Sequence, residues 1–256
     1  MIKFFRKIRL RLLSDLSAGN AGNKLGKYTA YAIGEIFLVV IGILIAIQLN
    51  TIKNDNDKKD EEITHLENIL SDLKQEQAAL KTIIARRKSK VESANTMVNY
   101  YHTNSVSDPK EYYFNWTNVL FWDAHNPSFI TFNELINSGK LSSLSNENLK
   151  QLLLEIDNKY KELFEVRKHM YDDYKSYLYD PFADIVDYEN AILAWTDPDK
   201  TLDLSRADIE SALNNKRIKN GFTLASFNNN LLMEQLTEIQ VKVDSTIAIV
   251  EGEIKN

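Results

Sequence analysis

Residues 58–101 read KKDEEITHLENILSDLKQEQAALKTIIARRKSKVESANTMVNYY. Within them Ile63, Leu66, Leu70, Leu73, Gln77, Leu80, Ile84, Arg87, Val91, Ala94, Val98 and Tyr101 recur at spacings of three and four, and ten of these twelve positions are apolar. That repeat lines one face of an α-helix and does not fit the period of two of a half-buried strand. Over this length, at about 1.5 Å per residue, the helix is a rod of about 66 Å. Its stripe has to be buried against other helices, because packing stabilises a long amphipathic helix more than propensity does. Gln77 and Arg87 interrupt the seam, either to fix register or where the partner helix ends.

Downstream the same period returns twice. Leu149, Leu152, Ile156, Tyr160, Leu163, Arg167, Met170, Tyr174 and Tyr177 mark a helix from about 145 to 179, ahead of Pro181. Ile218, Phe222, Ala225, Asn229, Leu232, Leu236, Ile239, Val243, Thr246 and Val250 mark another from about 215 to 254. Shorter helices fit at 109–122, 131–138 and 205–214. Thr131 with Glu134, and Ser205 with Asp208, have the spacing of capping boxes at two of these starts. With only 8 Gly and 4 Pro in 256 residues, the composition argues against a turn-rich sandwich or barrel and against disorder. The absence of cysteine excludes disulfides, thiol nucleophiles and thiolate metal sites. The expected fold is all-α: one N-terminal transmembrane helix, then an antiparallel, coiled-coil-like bundle of long helices with a short helical insert.

Upstream lies TAYAIGEIFLVVIGILIAIQL, residues 29–49, in which Glu35 is the only charge. It reaches about 31 Å as a helix, close to the hydrocarbon thickness of a bilayer. Residues 1–49 hold seven Lys/Arg against two acids, while residues 50–256 hold 24 against 34. The positive-inside rule therefore keeps Lys3, Arg6, Lys7, Arg9, Arg11, Lys24 and Lys27 in the cytoplasm and sends the remainder across. Ala46-Ile47-Gln48-Leu49-Asn50 offers no pair of small residues for signal cleavage, so the segment is an uncleaved anchor. Residues 2–13 form a basic amphipathic helix suited to an anionic leaflet, and 17–26 a connector. Seven basic residues are too few for a nucleic-acid-binding arm. Ala30, Gly34, Leu38, Gly42 and Ala46 fall four apart, the small-residue pattern that lets membrane helices pair.

MIKFFRKIR at the start and YAIGEIFLVVIGILIAIQLN at 31–50, with ITFNELINSGKL at 130–141, resemble a family of uncharacterised single-pass membrane proteins of Gram-negative bacteria. The resemblance implies an inner-membrane protein with a periplasmic domain, and it implies no activity or site residues. The organisation is then a cytoplasmic segment and linker over 1–28, a transmembrane helix over 29–50, a linker over 51–60 and a periplasmic helical domain over 61–256.

Nothing in the sequence marks a catalytic centre. There is no nucleotide loop, no nucleophile elbow and no HExxH. Glu165 with His169 one turn on, and Asp172 or Asp173 on the turn after, reads more readily as a solvated helix surface than as a metal site. No cofactor, metal or catalytic residue is therefore expected, and no nucleic acid. The aromatics are more informative. Tyr112, Tyr113, Trp116, Phe121, Trp122, Phe129 and Phe132 crowd one short stretch with Phe114. They either cap one end of the bundle or form a ligand or partner surface. The expected function is a non-enzymatic interaction or scaffold component, meeting the lipid bilayer and a protein partner or a second copy of itself. The alternative is a periplasmic sensing module that signals through a partner, since too little chain stays in the cytoplasm to signal alone. A third is an enzyme accessory subunit.

Overall fold

The computed structural model describes residues 24–122, 125–127, 129–197 and 205–255, and of 24–31, Asn190 and Ala194 the backbone alone. The chain divides into two units, Met1–Glu61 and Glu62–Asn256. Helix α1, Lys24–Thr103, contributes to both. The amphipathic segment at 2–13 lies outside the described residues, as does most of the 17–26 connector, whose last residues, 24–26, already belong to α1.

In the first unit every large apolar side chain from Ile33 to Ile52 is between 44 and 63 % exposed. Residues 51–60, expected as a linker, are helical and exposed. Among the described residues one helix is long and apolar enough to cross a membrane, and the apolar window it contains is wholly unburied.

In the second unit α1 ends at Asn104, whose φ of 47° lies in the left-handed region that Asn tolerates better than most residues. Asp108 caps α2, Pro109–Leu120, accepting from the Lys110 amide at 2.8 Å. Pro109 begins the helix where no amide donor is needed. The chain then walks back down α1. Tyr112 packs on Tyr100, Asn118 donates to Ser93 Oγ at 2.9 Å, and Ser145 donates to Glu62. On the way, α3, Ile130–Asn137, starts with Phe129 at its cap position and no side-chain cap bond. The capping role expected of Thr131 passes to α1, where Asp72 accepts from the Thr131 amide at 2.8 Å. Gly139, at φ 70°, turns the chain into a 3-10 turn at Lys140–Ser143.

Helix α4, Glu147–Tyr174, is capped by Asn146 through the Leu149 amide at 3.0 Å. It runs parallel to α1, Ser145 meeting Glu62 and Tyr160 meeting Glu76. The insert is thus the broken second member of an up-down-up-down bundle rather than an appendage. The fourth member is α8, Lys216–Ile254, antiparallel to both long partners. It pairs Asp244 with Gln77 (2.6 Å) and Asn229 with Arg87 (3.1 Å) on α1. On α4 it pairs Glu238 with Lys159 (3.2 Å) and Lys242 with Glu155 (2.6 Å).

Three short helices close one end: α5, Asp180–Ala183; α6, Tyr188–Thr196; and α7, Arg206–Leu213. Ser205 caps α7 by accepting from the Asp208 amide at 3.2 Å. The sequence did not reveal α6, although Asp187 caps it in the ordinary way.

The α8 stripe is buried at all ten expected positions. On α4 a π-helical turn at Lys175–Tyr179 inserts one extra residue, so Leu178 is buried in place of Tyr177. Leu153 likewise replaces Leu152. On α1 the buried line is Leu66, Ile69, Leu73, Glu76, Leu80, Ile83, Arg87, Lys90, Ala94 and Met97. Its second members sit one residue before the expected Leu70, Gln77, Ile84, Val91 and Val98, which are half-buried. The rotation faces α1 toward the insert as well as toward α4 and α8, and it takes Glu76 and Lys90 inside.

Candidate functional site

Two features of the second unit combine residue types that carry chemistry or recognition. One is a set of polar side chains sealed along α1. The other is the aromatic end.

Glu76 is 2 % exposed and stands between α4 and the strap that joins α2 to α3. The Tyr160 hydroxyl and His125 Nε2 both donate to its Oε1, the latter at 2.7 Å. Burial, then the Glu76 carboxylate, pushes the Tyr160 phenol well up, which keeps it a donor. Arg167 Nη1 donates to the His125 carbonyl at 2.7 Å, and its guanidinium lies over the Phe164 ring at 5.3 Å. The strap is therefore fastened on both sides.

Three turns along, Arg87 donates to Asn229 Oδ1, and Asn229 Nδ2 donates to the Tyr174 hydroxyl at 2.8 Å, joining the three long helices through one buried chain. Burial raises the Tyr174 phenol. One turn further, Lys90 donates to the carbonyls of Asn118 (2.8 Å), Val119 (3.4 Å) and Phe121. The first two are among the last α2 carbonyls, which have no intrahelical donor. The ammonium also stands at the negative end of the helix dipole.

At the aromatic end Trp116 stacks on Tyr188 (5.4 Å between centroids) and meets Phe182 edge-on at 5.1 Å. Tyr112 meets Tyr113 edge-on at 5.5 Å. Burial pushes the Tyr113 phenol up to about 12, and the Tyr112 phenol further. Of the seven aromatics singled out by sequence, Tyr112, Tyr113, Trp116, Phe129 and Phe132 are buried. They are core, and the surface narrows to Phe121, stacked on Trp195 at 4.9 Å, and half-buried Trp122, edge-on to Tyr171 at 5.8 Å.

In the first unit Gly34, Leu38, Gly42 and Ala46 are all exposed, and a Cβ added at Gly34 or Gly42 would meet nothing within 4 Å. Of Ala30 the backbone alone is described. Among the described residues no three His, Asp or Glu side chains converge as a metal site, and Glu165 and His169 lie exposed.

The sequence reading did not single out Glu76, Lys90 or His125. The available signal was a second line at 69, 76, 83, 90 and 97, parallel to the chosen one, with Ile69, Ile83 and Met97 alternating with the two charges. It is the more polar line, and its charges become buriable only where the strap and the α2 carbonyls supply partners.

The signature of DUF6090, a family of unknown function, matches residues 35–184, more than half of the chain, and the chain belongs to that family. No curated protein and no solved structure matches it.

Proposed function

We propose that this member of the DUF6090 family is a single-pass membrane protein whose helical domain acts in the periplasm as a non-enzymatic interaction component. The observation that carries the reading is the run of side chains from Ile33 to Ile52, all exposed in the single chain. Each such side chain gains about 1.5–3 kcal/mol on leaving water, so the run calls for lipid or protein around it. The excess of Lys and Arg before it supports a cytoplasmic N-terminus. The role of the domain draws support from how its interior polar groups are used: Glu76, His125, Tyr160, Arg87 and Lys90 hold helices and strap to one another. The open Gly34/Gly42 face is a second contact surface, suited to another membrane helix.

Protease added to spheroplasts tests the reading. Digestion beyond Asn50 with residues 1–28 protected is the expected outcome. Protection of the helical domain, or release of the intact chain by a carbonate wash, overturns the anchor or its direction.

A further inference from the structure

We propose that the patch formed by Phe121, Ile192 and Trp195 docks a cationic, apolar-bearing segment of a partner polypeptide; this rests on the interaction reading above and gives it a surface and a chemistry. Helices α2 and α6 run parallel, with Trp116 on Tyr188, Thr117 donating to the Ala191 carbonyl at 3.0 Å, and Phe121 on Trp195. Trp116 and Ala191 face inward and are buried. The outward side leaves Ile192 51 % and Phe121 48 % exposed, with Trp195 half-buried one turn from Ile192. The corner is held in place, because Lys90 binds the Phe121 carbonyl and two α2 carbonyls before it. Large aromatic and aliphatic side chains on a fixed support are the usual anchors of a protein interface.

Charge selects the occupant. Residues 111–139 and 176–199 contain no Lys or Arg, whereas 176–197 carries five carboxylates. Of these Asp180 is bridged by Lys175 at 3.0 Å. Glu189, one turn before Ile192, and Asp197, two residues after Trp195, are exposed. Among the described residues, Lys90 nearby is 3 % exposed, its ammonium taken up by the Asn118, Val119 and Phe121 carbonyls. An apolar centre with an anionic rim complements a segment in which Lys or Arg flank apolar residues. Anionic lipid headgroups carry the rim's own sign. A second copy is a poor fit for the same reason, since residues 50–256 are acidic.

Two measurements test this on the full chain. In the first, chain purified in a zwitterionic detergent is titrated with a synthetic Lys/Leu amphipathic peptide and its Glu/Leu counterpart. The Lys/Leu peptide is expected to bind about tenfold tighter or more, and to lose about that factor with Ile192→Ser or with Glu189→Lys plus Asp197→Lys. Equal binding of the two peptides, an unaffected Ile192→Ser chain, or an equal loss with Val241→Ser on α8 overturns the proposal. In the second, benzoylphenylalanine replaces Ile192 or Val241 in cells. An adduct at 192 to a polypeptide whose crosslinked segment is net positive supports it. An adduct to lipid, to a second copy or only at 241 removes this surface and leaves the interaction reading standing. No adduct at either position removes both.

Discussion

Substituting Gly221 with Ala tests a close helix contact in the domain. Gly221 lies in α8 against the π-helical turn of α4, and an added Cβ would stand 2.6 Å from Leu178 Cδ2, 2.8 Å from Leu178 Cγ and 2.8 Å from the Tyr177 carbonyl oxygen. Leu178 is fully buried and the carbonyl is backbone, so neither can swing aside. Overpacking of this kind costs about 1–3 kcal/mol, and the backbone obstacle places it at the upper end. Alanine recovers about 1 kcal/mol through helix propensity, leaving a net loss of about 2 kcal/mol. For a domain of about 150–250 residues that lowers Tm by roughly 4–8 °C. The measurement is thermal melting of the full chain in detergent, followed by far-ultraviolet circular dichroism. Gly252→Ala is the matched control, since a Cβ there meets nothing within 4 Å, and it should leave Tm unchanged or slightly raised. If Gly221→Ala melts at or above the parent, the approach of α8 to the π turn is not as tight as described.

Glu76→Leu strands the Tyr160 hydroxyl and His125 Nε2 and should lower denaturant stability by about 1–3 kcal/mol for each group left without an acceptor; parental stability would show that the strap is held by other contacts. Lys90→Met should speed hydrogen exchange at 118–122 and leave α3 unaffected, because the carbonyls of Asn118, Val119 and Phe121 lose their donor. Burial pushes the phenols of Tyr100, Tyr113 and Tyr179 up to about 12. Against an unfolded value of about 10, the folded chain holds these protons more tightly, so its stability is full below about pH 10 and falls toward pH 12. The difference in phenolate absorbance between the parent and a chain with Tyr100, Tyr113 and Tyr179 replaced by Phe isolates these three groups, and its rise in that window before any loss of helix would contradict this. Gly34→Ile with Gly42→Ile adds bulk to a face open in the single chain, so association in the membrane should fall while insertion and protein level hold. Association equal to that of a Val39→Leu/Ile43→Leu control would mean that the small-residue face makes no contact.

The sequence by itself determined the all-helical class, the extents of α8 and of α4 with its π turn, and the buried face of α8. Its ten stripe positions are apolar or compact, and α8 packs on α1 and α4 along its length, so one period decides the answer. Local chemistry also reached the cap at Ser205, whose side chain accepts from the amide three residues ahead. The tertiary structure decided what depends on neighbours distant in the chain. Whether Leu70 or Ile69 faced inward turned on the insert lying along α1, and no period within α1 records that contact. Thr131 has the spacing of a cap, yet its amide bonds Asp72, 59 residues earlier. Glu76, Lys90 and His125 look like surface charges until the strap and the α2 terminus are set against them, because a buried charge is tolerated only where partners already stand. The aromatics around Trp116 read equally as core or surface, since Tyr and Trp suit both. The packing of α2 on α6 separated them, burying Trp116 against Tyr188 and leaving Phe121, five residues on, outside on Trp195.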